Sequence, residues 1–192
     1  MIKKAIQESI AVKERILADN ILLEKIENVA RLAVEVFRQD GKMLFCGNGG
    51  SAADAQHIAA ELSGRFYMDR KPLFAEALHV NASYMTAVAN DYGFDQVYSR
   101  MVGAAGKKGD MLVAISTSGN SKNITLAAER AKMQGMIVIG LTGKNGGNLA
   151  EFCDVLLNIP STDTPRIQEA HILIGHILCE LIESELFIAK YA

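Results

Sequence analysis

The sequence is poor in cysteine, and the three it has (Cys46, Cys153 and Cys179) are odd in number, far apart and each beside an apolar residue. That pattern argues against a disulfide framework and a cysteine-built metal site, and it predicts reduced core thiols in a cytoplasmic protein. Neither sign of charge is in excess, since 20 Lys and Arg stand against 22 Asp and Glu for a net charge of −2. Acids and bases are interspersed, which excludes a basic nucleic-acid face and a polybasic membrane patch. No stretch approaches the ~20 apolar residues that a membrane span needs. Lys3, Lys4 and Glu8 fall where a signal peptide would be apolar, so no leader is expected. Repeats, low-complexity tracts and linkers are also missing. With 192 residues, 49% hydrophobic and 22% charged, the expectation is one globular domain over 1–192, a helical extension at 1–40 preceding an α/β core at 41–192.

Residues 2–39 read as helix, because Ile6, Ile10, Ile16, Ile26, Val29 and Ala33 belong to an apolar series recurring at threes and fours. A break is expected at Asp19-Asn20, with Asn20 as the second N-cap, and Asp40-Gly41 ends the segment as a C-cap turn. So long an amphipathic lead-in has more apolar surface than one small domain covers, which predicts a homo-oligomer. Strands are expected at Met43–Cys46, Leu73–Leu78, Met111–Ile115, Met136–Leu141 and Val155–Ile159. Helices are expected over about 51–66, Ser83–Val88, Phe94–Ala105, up to about Gln134, and Arg166–Phe187, with a turn at Asn90-Asp91-Tyr92-Gly93. The alternation implies an α/β fold, a three-layer α/β/α sandwich on a five-stranded parallel sheet in the flavodoxin-like order 2-1-3-4-5.

The segment 46–61 organises the rest. Gly47, Gly49 and Gly50 allow a tight turn whose N–H groups approach a ligand, and Ser51 is expected to cap the helix that follows, at an anion-favouring N-terminus. His57 and Glu61 share one face of that helix about 10–15 Å further on, as an acid/base or metal-ligand pair. This suits a phosphorylated small molecule whose reacting carbons lie away from its phosphate. Gly47 to Ala52 also satisfies the loose dinucleotide pattern, but Ala77-Leu78-His79-Val80-Asn81 offers no acid for a ribose, which disfavours NAD. No Gly-Lys-Ser/Thr follows the turn, so the P-loop reading fails. Ser116, Thr117, Ser118 and Ser121 surround Gly119 after the third strand, and four hydroxyls exceed what capping requires. In the expected strand order both turns face one crevice, and neutral donors without a cation cluster fit a single phosphate monoester. His176 interrupts an apolar helix, ordinarily the mark of a satisfied core histidine, and gains interest only beside His57 and Glu61. Gln168, eight residues earlier, is rotated ~80° and displaced ~12 Å from it, a spacing that is weak as metal evidence.

Cys46-Gly47-Asn48-Gly49-Gly50-Ser51, Ala89-Asn90-Asp91-Tyr92-Gly93, Ile115 to Ser121, Leu141-Thr142-Gly143 and Arg166-Ile167-Gln168-Glu169-Ala170-His171 together resemble the phosphoheptose isomerases of the sugar-isomerase (SIS) domain superfamily. The resemblance runs essentially end to end. It implies conversion of sedoheptulose 7-phosphate to D-glycero-D-manno-heptose 7-phosphate through an enediol, an early step toward the heptose of bacterial lipopolysaccharide. It also implies a cytoplasmic homotetramer with shared active sites. Zinc, one per subunit, is implied on His57, Glu61, Gln168 and His176, with Glu61 and His176 as the catalytic pair. Substrate contacts are implied at Asn48, Gly49, Gly50, Ser51, Glu61, Asn90, Asp91, Ser116, Thr117, Ser118, Ser121 and Gln168. Pro165 departs from members with an acidic residue there, so any such carboxylate role is lost or moves to Asp163. The alternative is a non-catalytic SIS-domain regulator that binds phosphosugars or the bacterial replication initiator, and the presence of both Glu61 and His176 argues for the enzyme.

Overall fold

A computed structural model describes residues 1–188, so the last four residues of the expected domain lie outside the described residues. The chain opens with α1 (Ile2–Leu17) and α2 (Asn20–Arg38), then β1 (Met43–Gly47) and α3 (Gly50–Ser63). Next come β2 (Ala75–Ala77), α4 (Ala82–Tyr92), α5 (Val97–Ala105), β3 (Met111–Ser116) and α6 (Lys122–Met133). β4 (Ile137–Thr142), β5 (Val155–Asn158) and α7 (Thr164–Glu183) complete the core. The five strands are parallel in the order β2-β1-β3-β4-β5, with Cys46 opposite Ala114 and Ala114 opposite Gly140.

Parallel strands buried on both faces read as continuous apolar runs, and alternate residues serve the two layers. Met43, Phe45, Met111, Val113 and Ile115 pack toward α2, α3 and α7. Leu44, Cys46, Leu112 and Ala114 pack against residues of α4, α5 and α6. α2 buries Leu22, Ile26, Val29, Ala33 and Val36 in the first of these cores, so residues of the N-terminal extension form part of one helical layer. The three cysteines are free, Cys46 and Cys179 fully buried.

Several boundaries differ from expectation for local reasons. Asp19, not Asn20, is the N-cap of α2, its carboxylate accepting from the Leu22 N–H at 3.0 Å. At the other end Asp40 takes the left-handed position at φ 56°, and Gly41 donates to the Val36 carbonyl at 2.8 Å, closing a Schellman-type turn. β2 is three residues long, because Leu73 and Phe74 lie before the ladder. α4 runs through Asn90 and Asp91, where a turn was expected, and stops only at Gly93, which has φ 87°. Residues 94–105 form a short 3₁₀ turn followed by α5 rather than one helix.

A buried ion pair fixes the lower edge of the sheet. The Asp110 carboxylate accepts from the Lys42 ammonium at 2.6 Å and from the backbone N–H groups of Lys42 at 3.1 Å and Lys107 at 2.8 Å. Its side chain is 5% exposed. Asp110→Ala therefore strands a buried ammonium and two N–H groups, and it is expected to cost about 3–5 kcal/mol in a denaturant titration. A loss below 1 kcal/mol would contradict this role.

Candidate active site

The carboxyl ends of β1 and β3 carry the two turns singled out above, and one amide pair joins them. Asn48 and Asn123 exchange reciprocal side-chain hydrogen bonds, both at 2.9 Å, which ties the β1–α3 turn to the first turn of α6. Gly49 occupies the N-cap of α3 at φ 55°, a conformation that glycine adopts without strain. Ser51 is not the cap: it lies within the first turn, buried, and its side chain makes no capping bond. The reason lies in the backbone, where the Ala52 and Ala53 N–H groups turn back to the Gly49 carbonyl. Gly50 has a steric role, because a Cβ there would lie 2.4 Å from Nε2 of Gln168. The Gln168 amide thus rests on the start of α3.

The hydroxyl turn is ordered by its own bonds. Ser116 donates to the Ser121 hydroxyl at 3.2 Å, Ser118 accepts from the Asn120 N–H at 3.1 Å, and the Thr117 carbonyl accepts from the Gly143 N–H at 2.9 Å. Ser121 is the N-cap residue of α6, yet its side chain makes no cap bond. Beside this turn a cavity of about 250 Å³ is lined by Thr117, Ser118, Lys144 and Ser161. Lys144, an exposed cation at the crevice, went unnoticed in the sequence because it stands alone after Thr142-Gly143. On the other side of the β1 turn a cavity of about 400 Å³ is lined by Asn48, Gly49, His79, Met85 and Tyr98. Burial there lowers the pKa of His79 below the usual histidine value.

Two helical turns further along α3 is a second cluster. α3 and α7 run side by side, Gly50 meeting Gln168 at one end and Ile58 meeting Gly175 further on. His57 and His176 bring their Nε2 atoms to 3.0 Å, with ring centroids 5.1 Å apart and planes at 65°. Nε2 of His57 is 3.2 Å from Oε1 of Glu61. One ligand atom from each of His57, Glu61 and His176 lies within 4.8 Å of the others, so the three can hold a metal ion. The donor set fits: two nitrogens bound at ~2.0–2.1 Å in tetrahedral geometry stand roughly 3.3 Å apart, close to the spacing seen here. His57 has 49% of its side chain exposed, so the cluster opens to solvent in this chain.

Not every expected residue joins this cluster. Gln168 lies near Gly50, seven residues and about 10 Å before His57 along α3. Asn90 and Asp91 bond each other at 2.9 Å on an exposed end of α4, eight residues and about 12 Å beyond Ala82. Asp163 is the N-cap residue of α7 with Pro165 in the first turn, and it is exposed without a cap bond. Asp54 was overlooked, although it precedes His57 by three residues and Glu61 by seven on the same helical face. One of its carboxylate oxygens is buried without a partner; burial pushes its pKa up, and nearby His57 pulls the other way.

The chain is a parallel α/β sandwich with a Gly/Ser crevice at its switch point, and residues 6–143 match the family model described as SIS domain. The chain is 54% identical over 190 residues to the phosphoheptose isomerase of Aneurinibacillus thermoaerophilus, covering 99% of this chain and 96% of that one. It is 51% identical over 186 residues to that of Clostridium acetobutylicum, at 97% and 95% coverage. Among solved structures, the phosphoheptose isomerase of Neisseria gonorrhoeae superposes with a TM-score of 0.89 at 48% identity, covering 95% and 97% of the two chains. That of Francisella tularensis gives 0.91 at 40% identity, covering 95% and 96%. The chain belongs to the phosphoheptose isomerase family of SIS-domain enzymes.

The approach of α3 to α7 depends on Gly175, where a Cβ would lie 2.4 Å from Cδ1 and 2.7 Å from Cγ1 of Ile58. Gly175→Val is expected to force the helices apart and destabilise the fold by about 1–3 kcal/mol, measurable by thermal melting. An unchanged melting temperature would contradict this packing.

Proposed function

We propose that this chain is an aldose–ketose isomerase that converts sedoheptulose 7-phosphate to D-glycero-D-manno-heptose 7-phosphate. The observation that carries the reading is the convergence of Nε2 of His57, Nε2 of His176 and the Glu61 carboxylate within 4.8 Å. The cluster lies about two helical turns from the Gly/Ser crevice, a separation that matches a sugar whose phosphate and reacting carbons are at opposite ends. The family to which the chain belongs supports the same substrate.

In this reading Asn48, Gly49, Gly50 and Ser51 with Ser116, Thr117, Ser118 and Ser121 hold the phosphate end through neutral donors. Gln168, resting on Gly50, contacts the sugar between the two ends. Glu61 takes a proton from C1 of the open-chain ketose, and His176 protonates the C2 carbonyl oxygen, giving the enediol. Proton return to C2 and proton loss from the C1 hydroxyl then give the aldose, so no atom is gained or lost. His57, Glu61 and His176 would hold zinc, which would polarise the substrate oxygen as a Lewis acid and orient the sugar. A metal-bound carboxylate is a poor base and a metal-bound imidazole nitrogen has no proton to give, so Glu61 and His176 would act as base and acid only when released from the metal. A ligand role for Gln168 would require its side chain to leave Gly50 and extend along the α3–α7 groove. Asn90 and Asp91 reach substrate, in this reading, only across a subunit interface.

We further propose a cytoplasmic homotetramer serving lipopolysaccharide heptose synthesis. Ile2, Ile6, Ile10, Leu17 and Ile21 are exposed along the N-terminal helices, as an unfilled interface would be. The free cysteines suit a reducing compartment, and among the described residues no helix is long and apolar enough to cross a membrane.

The test is turnover of sedoheptulose 7-phosphate by purified protein before and after chelation, with zinc then restored. Activity should be lost and regained, and Glu61→Gln should lower kcat by about 10²–10⁴-fold while the protein stays folded. Wild-type activity in Glu61→Gln would overturn the assignment of the base, and turnover indifferent to the chelator would overturn the zinc role.

A further inference from the structure

The most heavily bonded side chains among the described residues lie outside the catalytic cluster. Glu183, at the end of α7, accepts from the backbone N–H groups of Phe66 at 3.3 Å, Tyr67 at 2.8 Å and Met68 at 2.9 Å, and from Nε of Arg70 at 2.9 Å. Arg70 in turn donates to the carbonyls of Glu61 at 3.0 Å, Leu62 at 2.8 Å, Gly64 at 3.1 Å and Lys71 at 3.2 Å. The two side chains are 2% and 3% exposed. Burial alone would raise the Glu183 carboxyl, but the N–H groups of Tyr67, Met68 and Phe66 and the Arg70 guanidinium outweigh it and hold the pKa below the usual value.

The partners of this pair give it a direction. Arg70 gathers the orphan carbonyls at the C-terminal end of α3, beginning with that of Glu61 itself. Glu183 is seven residues, about two turns, beyond His176 on α7. The segment they hold puts the Phe66 ring on the His176 ring, with centroids 5.7 Å apart and planes at 22°. A buried ion pair is a poor source of stability, since apolar residues of similar volume do as well or better. What it supplies that they cannot is fixed geometry, because a guanidinium fork and a carboxylate have directional bonds.

We propose that Arg70 and Glu183 are positioning residues: they set Glu61 and His57 on α3 against His176 on α7, and hold Phe66 as a backstop to the His176 ring. The proposal rests on reading that cluster as the isomerase centre, and its test is built to separate the two.

Arg70→Lys keeps a cation for Glu183 but loses the fork to the four carbonyls. Thermal melting, kcat and KM for sedoheptulose 7-phosphate, and the affinity of metal-free protein for Co2+ would be compared with wild type. Loss of positioning predicts a kcat lower by about 10–100-fold, a KM within about threefold, and Co2+ bound about 10-fold more weakly. Phe66→Leu leaves the ion pair intact, tests the backstop, and should lower kcat and Co2+ affinity with little change in melting temperature. Glu183→Gln, which keeps the side-chain volume but loses the charge, tests the pair if Arg70→Lys does not fold. Variants that melt lower but keep wild-type kcat and Co2+ affinity would make the pair a stability clamp and overturn the proposal. Wild-type protein without turnover would overturn the isomerase reading instead, and the Co2+ affinities would then decide the positioning role.

Discussion

The close, parallel approach of α3 and α7 is the constraint on which the site depends. Both helices start at the carboxyl edge of the sheet and lie on one face of it, so residues at matching heights become neighbours. Two glycines permit the approach, Gly50 beneath the Gln168 amide and Gly175 beneath Ile58. Without that proximity His57 and His176, 119 residues apart in the chain, would not bring their Nε2 atoms to 3.0 Å. The ladder of contacts fixes height as well as distance, and this is why the cluster lies two turns below the crevice rather than at its rim.

That offset divides the proposed chemistry between two environments. The crevice end is built from backbone turns and hydroxyls with the Lys144 ammonium beside them, joined by the Asn48–Asn123 amide pair, and in the proposed function it takes the phosphate. The helix end is built from imidazoles and a carboxylate, groups that exchange protons or bind a cation. Binding energy gathered at the first end can orient carbons at the second, which is how a remote phosphate contributes to a proton transfer.

Much of the fold was legible because parallel strands buried on both faces leave unbroken apolar runs, as in Met111 to Ile115. Helix ends were less so. Asp19 and Asn20 are equally good caps by type, and only the Leu22 hydrogen bond distinguishes them. Asn90-Asp91 looked like a turn, yet both fit the exposed last turn of α4, and Gly93 alone stops it. Within the site, the His57 and Glu61 spacing and the hydroxyl run were visible, since helical periodicity and turn chemistry are local. The seat of Gln168 on Gly50 was not, nor the Arg70–Glu183 pair, whose partners are 113 residues apart. Such contacts are set by how helices pack, and no local spacing encodes them.

The central claim is that these side chains move a proton between carbons through an enediol, and solvent hydrogen reports on that most directly. Sedoheptulose 7-phosphate would be turned over in D2O and the aldose product examined by NMR at C2. Proton transfer by Glu61 predicts deuterium at C2 in at least part of the product, because a proton held on a carboxylate exchanges with solvent. Product with no deuterium at C2, its hydrogen carried wholly from C1 of the substrate, would contradict a proton held on an exchanging Glu61 carboxylate.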